Sequence, residues 1–196
     1  MLQLKGATRI IAVAALCVQR LAAADPTVKI ATSLGTIVVA IDTTHAPLTA
    51  TNFLRYVDQK LYDGGAFHRS VTRRNQPTSE IKIEVIQAGI DPSRESQAFA
   101  PIALERTSAT GLRHLAGTIS MARDGPDTAS SDFFVCVTDQ PSLDFGGQRN
   151  PDGQGFAAFG RVVSGMNVVR RIQLSKAHGQ VLAPPIRIMS IRRVSP

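Results

Sequence analysis

Residues 117–137 read GTISMARDGPDTASSDFFVCV. A β-rich run from Thr118 to Ala122 passes into Asp124-Gly125-Pro126-Asp127, and the chain returns as a second apolar run carrying Phe133 and Phe134. Glycine, proline and aspartate each favour backbone geometry that interrupts a ladder. The stretch therefore predicts two short strands joined by a polar loop. The same pattern extends in both directions. Val28 to Thr32 alternates, Leu34-Gly35 turns, and 36–41 continues in β-rich residues as a first hairpin. Further strands are predicted at about 67–72, 81–87, 102–105, 157–162 and 186–191. Two segments carry helical spacing instead. Pro47 opens one, with Ala50, Phe53, Leu54 and Val57 recurring until about Lys60 and a stop at Asp63-Gly64-Gly65. Gly165-Met166 opens the other, with Val168, Val169, Ile172 and Leu174 as its apolar stripe. Many short strands with glycine and proline between them predict a barrel or a sandwich.

The order of these segments resembles the cyclophilin peptidyl-prolyl isomerases. The resemblance rests on Phe67-His68-Arg69, on Val85-Ile86-Gln87-Ala88-Gly89, on the opening stretch with Ala122 and Phe134, on Leu143-Asp144 and on 156–160, FAAFG. It covers about 28–194. It implies a mainly β fold, a closed eight-stranded antiparallel barrel capped by two α-helices, in one domain over 25–196. It also implies a monomer that acts on proline-containing polypeptides without a cofactor.

The chemistry asks little of the side chains. Turning an X-Pro amide crosses about 18–20 kcal/mol because rotation removes resonance. A catalyst needs an apolar seat for the prolyl ring, hydrogen bonds that grip one side of the bond, and a donor aimed at the prolyl nitrogen as its lone pair returns. Arginine suits that donor role, being always charged and rigidly forked. By resemblance Arg69 is this group and Gln87 orients it and binds substrate. Val85, Phe134 and Leu143 fall at positions that wall the proline pocket, with Phe156 beside them, and Ala122 and Arg123 match a strand-end pair that meets the substrate backbone. The bland readings are an ion-paired strand arginine, a satisfied glutamine and ordinary core.

Several residues depart from the family pattern. Asp132 stands where most relatives have glutamine, so an amide becomes an acceptor-only carboxylate that orients Arg69 or competes for it. Glu84 falls where phenylalanine is usual, Arg123 replaces asparagine, Phe156 replaces histidine, and Ser142 takes the place of tryptophan, a residue the chain lacks altogether. Residues 75–80 are an inserted polar loop and 148–155 another. Asp132 and Glu84 motivate an alternative function, a module that holds proline segments, or a holdase, with little turnover.

The chain's 196 residues begin with Lys5 and Arg9, an apolar run over 10–18 and Ala22-Ala23-Ala24 before Asp25-Pro26. This is the layout of a secretory signal over 1–24, cleaved after Ala24. The run is much shorter than the about 20 residues a membrane span needs, so no anchor is expected to remain. Leu16 fits poorly before a lipid-bearing cysteine, and Cys17 reads as part of the leader. Without Lys5, Arg9 and Arg20 the net charge falls from +7 to +4. The remaining arginines are scattered, which speaks against a nucleic-acid groove. Alanine-rich, arginine-over-lysine usage points to a bacterial chain and the periplasm, with secretion beyond the cell as the other destination. Cys136 would be the one thiol left, a small hydrophobe in an apolar run. His45, His68, His114 and His178 lack metal-ligand spacing, and no metal is assigned. Ser130-Ser131-Asp132 lacks the nucleophile elbow of a hydrolase.

Overall fold

The computed structural model describes residues 25–194, so the expected signal segment, with its processing site and Cys17, lies outside the described residues. The chain opens with β1 (Thr27–Thr32) and β2 (Gly35–Ile41), whose alternation buries Val28, Ile30, Ile37, Val39 and Ile41. Helix α1 (Pro47–Asp58) leads to β3 (Ala66–Val71) and β4 (Val85–Gly89). A one-turn helix, α2 (Thr107–Thr110), precedes β5 (Thr118–Met121) and β6 (Phe133–Cys136). Then follow β7 (Ala157–Ser164), α3 (Met166–Gln173), a two-residue strand β8 (Ala177–His178) and the long β9 (Val181–Val194).

The strands pair in the order β1-β2-β7-β5-β6-β4-β3-β9, and β9 pairs back onto β1. Ile30 has Ile37 on one side and Ile191 on the other. Eight antiparallel strands thus close a barrel and leave no free edge, with β8 attached to β9 as a flap. Helix α1 packs on β7 and β9, and α3 on β2, β3 and β4. Each helix bridges strands three places apart in the closed ring, α1 from β9 to β7 and α3 from β3 to β2, as a lid across a barrel mouth must. The two expected helices and the eight-stranded barrel are therefore present.

Phe53 of α1 sits at the centre of an aromatic cluster, 5.4 Å from the rings of Tyr62 and Phe133 and 5.1 Å from Phe159. The run Phe133-Phe134-Val135-Cys136 is apolar throughout because it serves two faces. Phe133 and Val135 join the barrel core, whereas Phe134 and Cys136 join a second cluster with Val71, Ile83, Val85 and Leu143. Burial pushes the Cys136 thiol far up, which makes it an inert part of that cluster.

Two expectations are corrected. The strand placed at 81–87 begins only at Val85 and reaches Gly89. The strand placed at 102–105 is a single bridge between Ile102 and Ala129. Glu105 has another task there: its carboxylate accepts from the backbone N–H groups of Leu48 (3.1 Å) and Thr49 (2.7 Å) and from Thr49 Oγ1 (2.6 Å). It caps α1, whose own N-cap, Ala46, has no side chain able to do so. The loop 75–80 is polar but not loose. Gln76 is buried, donates to the carbonyls of Thr72 and Ile83 and accepts from the Ile83 N–H.

Candidate active site

Residues opposite each other on antiparallel strands point to the same face. One rung runs from Arg69 on β3 through Gln87 on β4 and Phe134 on β6 to Ser120 on β5. A register shift between Phe67 and Arg69 leaves His68 as an extra residue in β3, the kind of bulge that re-aims a side chain. Arg69 Nη1 donates to Gln87 Oε1 at 3.0 Å. Its Nε and Nη2 both donate to Gln180 Oε1, at 2.9 and 2.7 Å. Among the described residues three of its five N–H groups are engaged, so each terminal nitrogen retains one donor there. Two glutamine carbonyls thus fix the guanidinium plane and leave one edge of the fork for a ligand.

That edge borders a cleft of about 430 Å³. All nine residues singled out from the sequence line it: Arg69, Val85, Gln87, Ala122, Arg123, Asp132, Phe134, Leu143 and Phe156. The apolar wall is the outer cluster described above, with Ala122 and Phe156 packed against it. Phe156 meets Phe134 edge-on at 5.3 Å. Behind Phe134 the His114 ring stacks at 5.9 Å, its Nδ1 bonded to Asp144 Oδ1 (2.7 Å) and its Nε2 to Ser120 Oγ (3.0 Å). This chain has the residue types of a hydrolase triad, yet His114 and Ser120 are 0% exposed. No substrate reaches that hydroxyl, and the three residues brace the phenyl wall.

Arg123 lines the cleft while its side chain turns to the neighbouring loop. Its guanidinium is 1% exposed and makes four hydrogen bonds, two to the carbonyl of Gly155 and two to the carboxylate of Asp152, while lying 5.1 Å over the Phe156 ring. Four of its five N–H groups go to the loop 148–155, so the side chain stiffens one wall. Arg123 in turn holds the Asp152 carboxyl down to about 2 from an ordinary 3.8. A carboxyl depressed in the folded state contributes stability that is present above its ordinary value and lost as pH falls through the folded one. Asp152→Asn is accordingly expected to be less stable than wild type at about pH 6 and indistinguishable from it below about pH 2, as measured by urea unfolding at each pH. A gap that persists unchanged at the acid end would contradict the pairing.

The family model described as "Cyclophilin type peptidyl-prolyl cis-trans isomerase/CLD" matches residues 27–193. The chain belongs to this family. It is similar to the peptidyl-prolyl cis-trans isomerase cyp18 of Streptomyces antibioticus, at 35% identity over 85% of this chain and 97% of that protein. It is also similar to peptidyl-prolyl cis-trans isomerase A of Dickeya dadantii, at 37% identity over 74% and 70% of the two chains. Among solved structures, a cyclophilin-type isomerase of Cryptosporidium parvum matches with a TM-score of 0.70 at 20% identity, covering 88% of this chain and 99% of that one. A second structure of the parasite protein, in the presence of the dipeptide Ala-Pro, matches with a TM-score of 0.69. These two are agreements of fold.

Within this cyclophilin the departures from pattern resolve into contacts. Asp132 makes no direct contact with Arg69, so of the two expected roles, orienting or competing, the contacts fit the first, through Gln87. Its Oδ2 accepts from Gln87 Nε2 at 3.1 Å and lies 3.5 Å from His68 Nε2. The carboxylate holds the amide that holds the arginine. Glu84 is not a wall of the cleft; its Oε2 accepts from Thr138 Oγ1 at 3.1 Å, and Ile83, two residues before Val85, supplies the apolar surface. Period-2 alternation in the approach to β4 is the signal that could have found Ile83. Gln180 was missed outright, since a glutamine in the turn after Gly179 carries no periodic signature. Its Nε2 donates to the Asn75 carbonyl at 3.3 Å, and Asn75 Nδ2 bonds the carbonyls of Ser70 and Gly179. The inserted loop thus supports the residue that supports Arg69. Burial, and after it the nearby Arg149 guanidinium, lower the Arg69 pKa.

Proposed function

We propose that this cyclophilin is exported and accelerates X-Pro isomerisation in polypeptides that fold after translocation, with Arg69 as its catalytic residue. The observation that carries the assignment is the juxtaposition of two unengaged Arg69 donors with an apolar wall of Val85, Phe134, Leu143 and Phe156 in one cleft. A prolyl ring seated on that wall brings its nitrogen toward the fork. As the amide twists, the nitrogen lone pair localises and becomes an acceptor it was not in the planar state. A hydrogen bond formed only then lowers the barrier without tightening the ground state. Lowering it by about 7 kcal/mol corresponds to about five decades in rate. Gln87, pinned between Arg69 and Asp132, keeps the guanidinium plane fixed, and Ala122 and the Arg123 backbone border the groove along which the substrate chain lies.

On this proposal the acting species is a monomer, as the resemblance implies, and the leader 1–24 directs it to the periplasm and is removed after Ala24; the leader layout and the alanine-rich, arginine-over-lysine composition support the export. N-terminal sequencing of protein recovered from a bacterial envelope fraction tests it, an intact Met1 being the contrary result. Exchange NMR on an Ala-Pro peptide tests the activity. Cis/trans exchange accelerated by catalytic amounts of protein is expected. Binding shifts without acceleration would instead identify a proline-segment binding module.

A further inference from the structure

The cleft has opposite charge at its two ends, and β4 gives the direction. On the approach to β4, Arg149 Nη1 donates to the Ile81 carbonyl at 2.6 Å, which ties its guanidinium beside Ile83 and within the electrostatic reach of Arg69. At the far end, Asp132 lies against Gly89, the last residue of β4, so close that any side chain there would collide with it. The chain then enters the 3-10 turn Pro92–Gln97, which carries Glu95, and Asp124 faces the same end from the loop after β5. Asp132 is committed to Gln87. Among the described residues, the Asp124 and Glu95 carboxylates enter no side-chain hydrogen bond or ion pair, although both line the cleft.

These charges sit on held supports. Thr128 Oγ1 accepts from the N–H groups of Asp124 (3.1 Å) and Gly125 (3.0 Å). The neighbouring wall is fixed from inside the barrel, where Asn52 Nδ2 donates to the Ser130 carbonyl (2.6 Å) and the Tyr62 hydroxyl to the Ser131 carbonyl (2.7 Å). A segment threaded through the cleft lies in a field running from Arg149 to Asp124 and Glu95.

We propose that the cleft selects, among proline-containing segments, those with a positive side chain on one flank of the proline and a negative one on the other, the cation facing Asp124 and Glu95 and the anion facing Arg149. The selection rests on the isomerase reading of this cleft. A segment with the reverse order meets like charge at both ends, and specificity of this kind comes as much from that repulsion as from the attraction. The Asp124 and Glu95 end is solvent-exposed and the Arg149 end half-buried, so each pair contributes modestly, but matched and reversed segments differ at both ends and about a tenfold difference is expected between them.

The test uses three peptides around one Ala-Pro bond: lysine before and glutamate after, the same peptide with the charges exchanged, and glutamine at both positions. Exchange NMR with the purified protein at about 0.02 M salt is expected to give catalytic efficiencies about tenfold apart for the two charged isomers, with the glutamine peptide between, and about 0.5 M salt is expected to bring them together. Arg149→Glu and Asp124→Lys are each expected to narrow the ratio, with the glutamine peptide as reference in every variant, and their combination to invert it. Equal rates for the two isomers, with the glutamine peptide still accelerated, would overturn the charge selection and leave the isomerase standing. If no peptide is accelerated, the isomerase reading fails, and the affinities of the two isomers from titration shifts then decide: unequal affinities uphold the selection and equal ones reject it.

Discussion

Replacing Arg69 with alanine is expected to slow catalysed X-Pro exchange by about 10²–10³-fold, the usual cost of removing one donor to a developing charge. The loss falls on turnover, because the apolar wall that seats the prolyl ring is untouched. Peptide affinity by titration should change far less than the exchange rate. Stability should change little as well: the guanidinium is partly open to solvent, and water can take over the Gln87 and Gln180 carbonyls that it leaves. Arg69→Lys separates charge from geometry. A lysine ammonium keeps the charge but cannot bond two glutamines and still present two donors in one plane, so most of the loss should persist. Wild-type exchange rates in Arg69→Ala would remove Arg69 from the mechanism.

The largest effect on stability is expected from Phe53→Ala, about 3–5 kcal/mol. Phe53 is fully buried and is the one ring of α1 in contact with Tyr62, Phe133 and Phe159 together. Those three come from the segment after α1, from β6 and from β7, so a cavity there loosens the helix and two strands at once. A domain of this size has about 5–15 kcal/mol in total, so the shift in the urea midpoint should be plain. A loss below about 1 kcal/mol would show that the barrel closes over the gap or that the ring contributes little.

How far the chain could be read in advance depended on whether a residue advertised itself by spacing. The first hairpin and both helices follow from period 2 and period 3.6, and the strands around Phe67, Thr118, Phe133 and Ala157 from short β-rich runs set between glycine and proline. The nine cleft residues came from the resemblance to the cyclophilins and not from spacing; the closed barrel brings the strands and loops that carry them to one cleft. Glu105 and Gln180 were invisible for the opposite reason. Each acts at long range on a backbone or side chain from which nothing in its own neighbourhood sets it apart. Glu84 was set at the family's phenylalanine position because of the longer connection before β4, which moves the apolar surface back by one residue to Ile83. Arg149 and Asp124 looked like loop charges, and only the closed barrel shows that they face one cavity.

The two-faced strand β6 constrains how such a protein can diverge. Phe133 fills the barrel interior and Phe134 the outer wall, and the two are adjacent in the chain. A substitution that repacks the interior tilts the strand and so moves the wall; one that reshapes the wall disturbs the interior. Thermal robustness and grip on the prolyl ring therefore cannot be tuned independently along β6. The side chains of Glu95, Asp124 and Arg149 belong to neither apolar cluster and are free of that particular linkage. Drift in client preference has an open path through those residues, while the ring-holding surface changes only as fast as the barrel itself can be rebuilt.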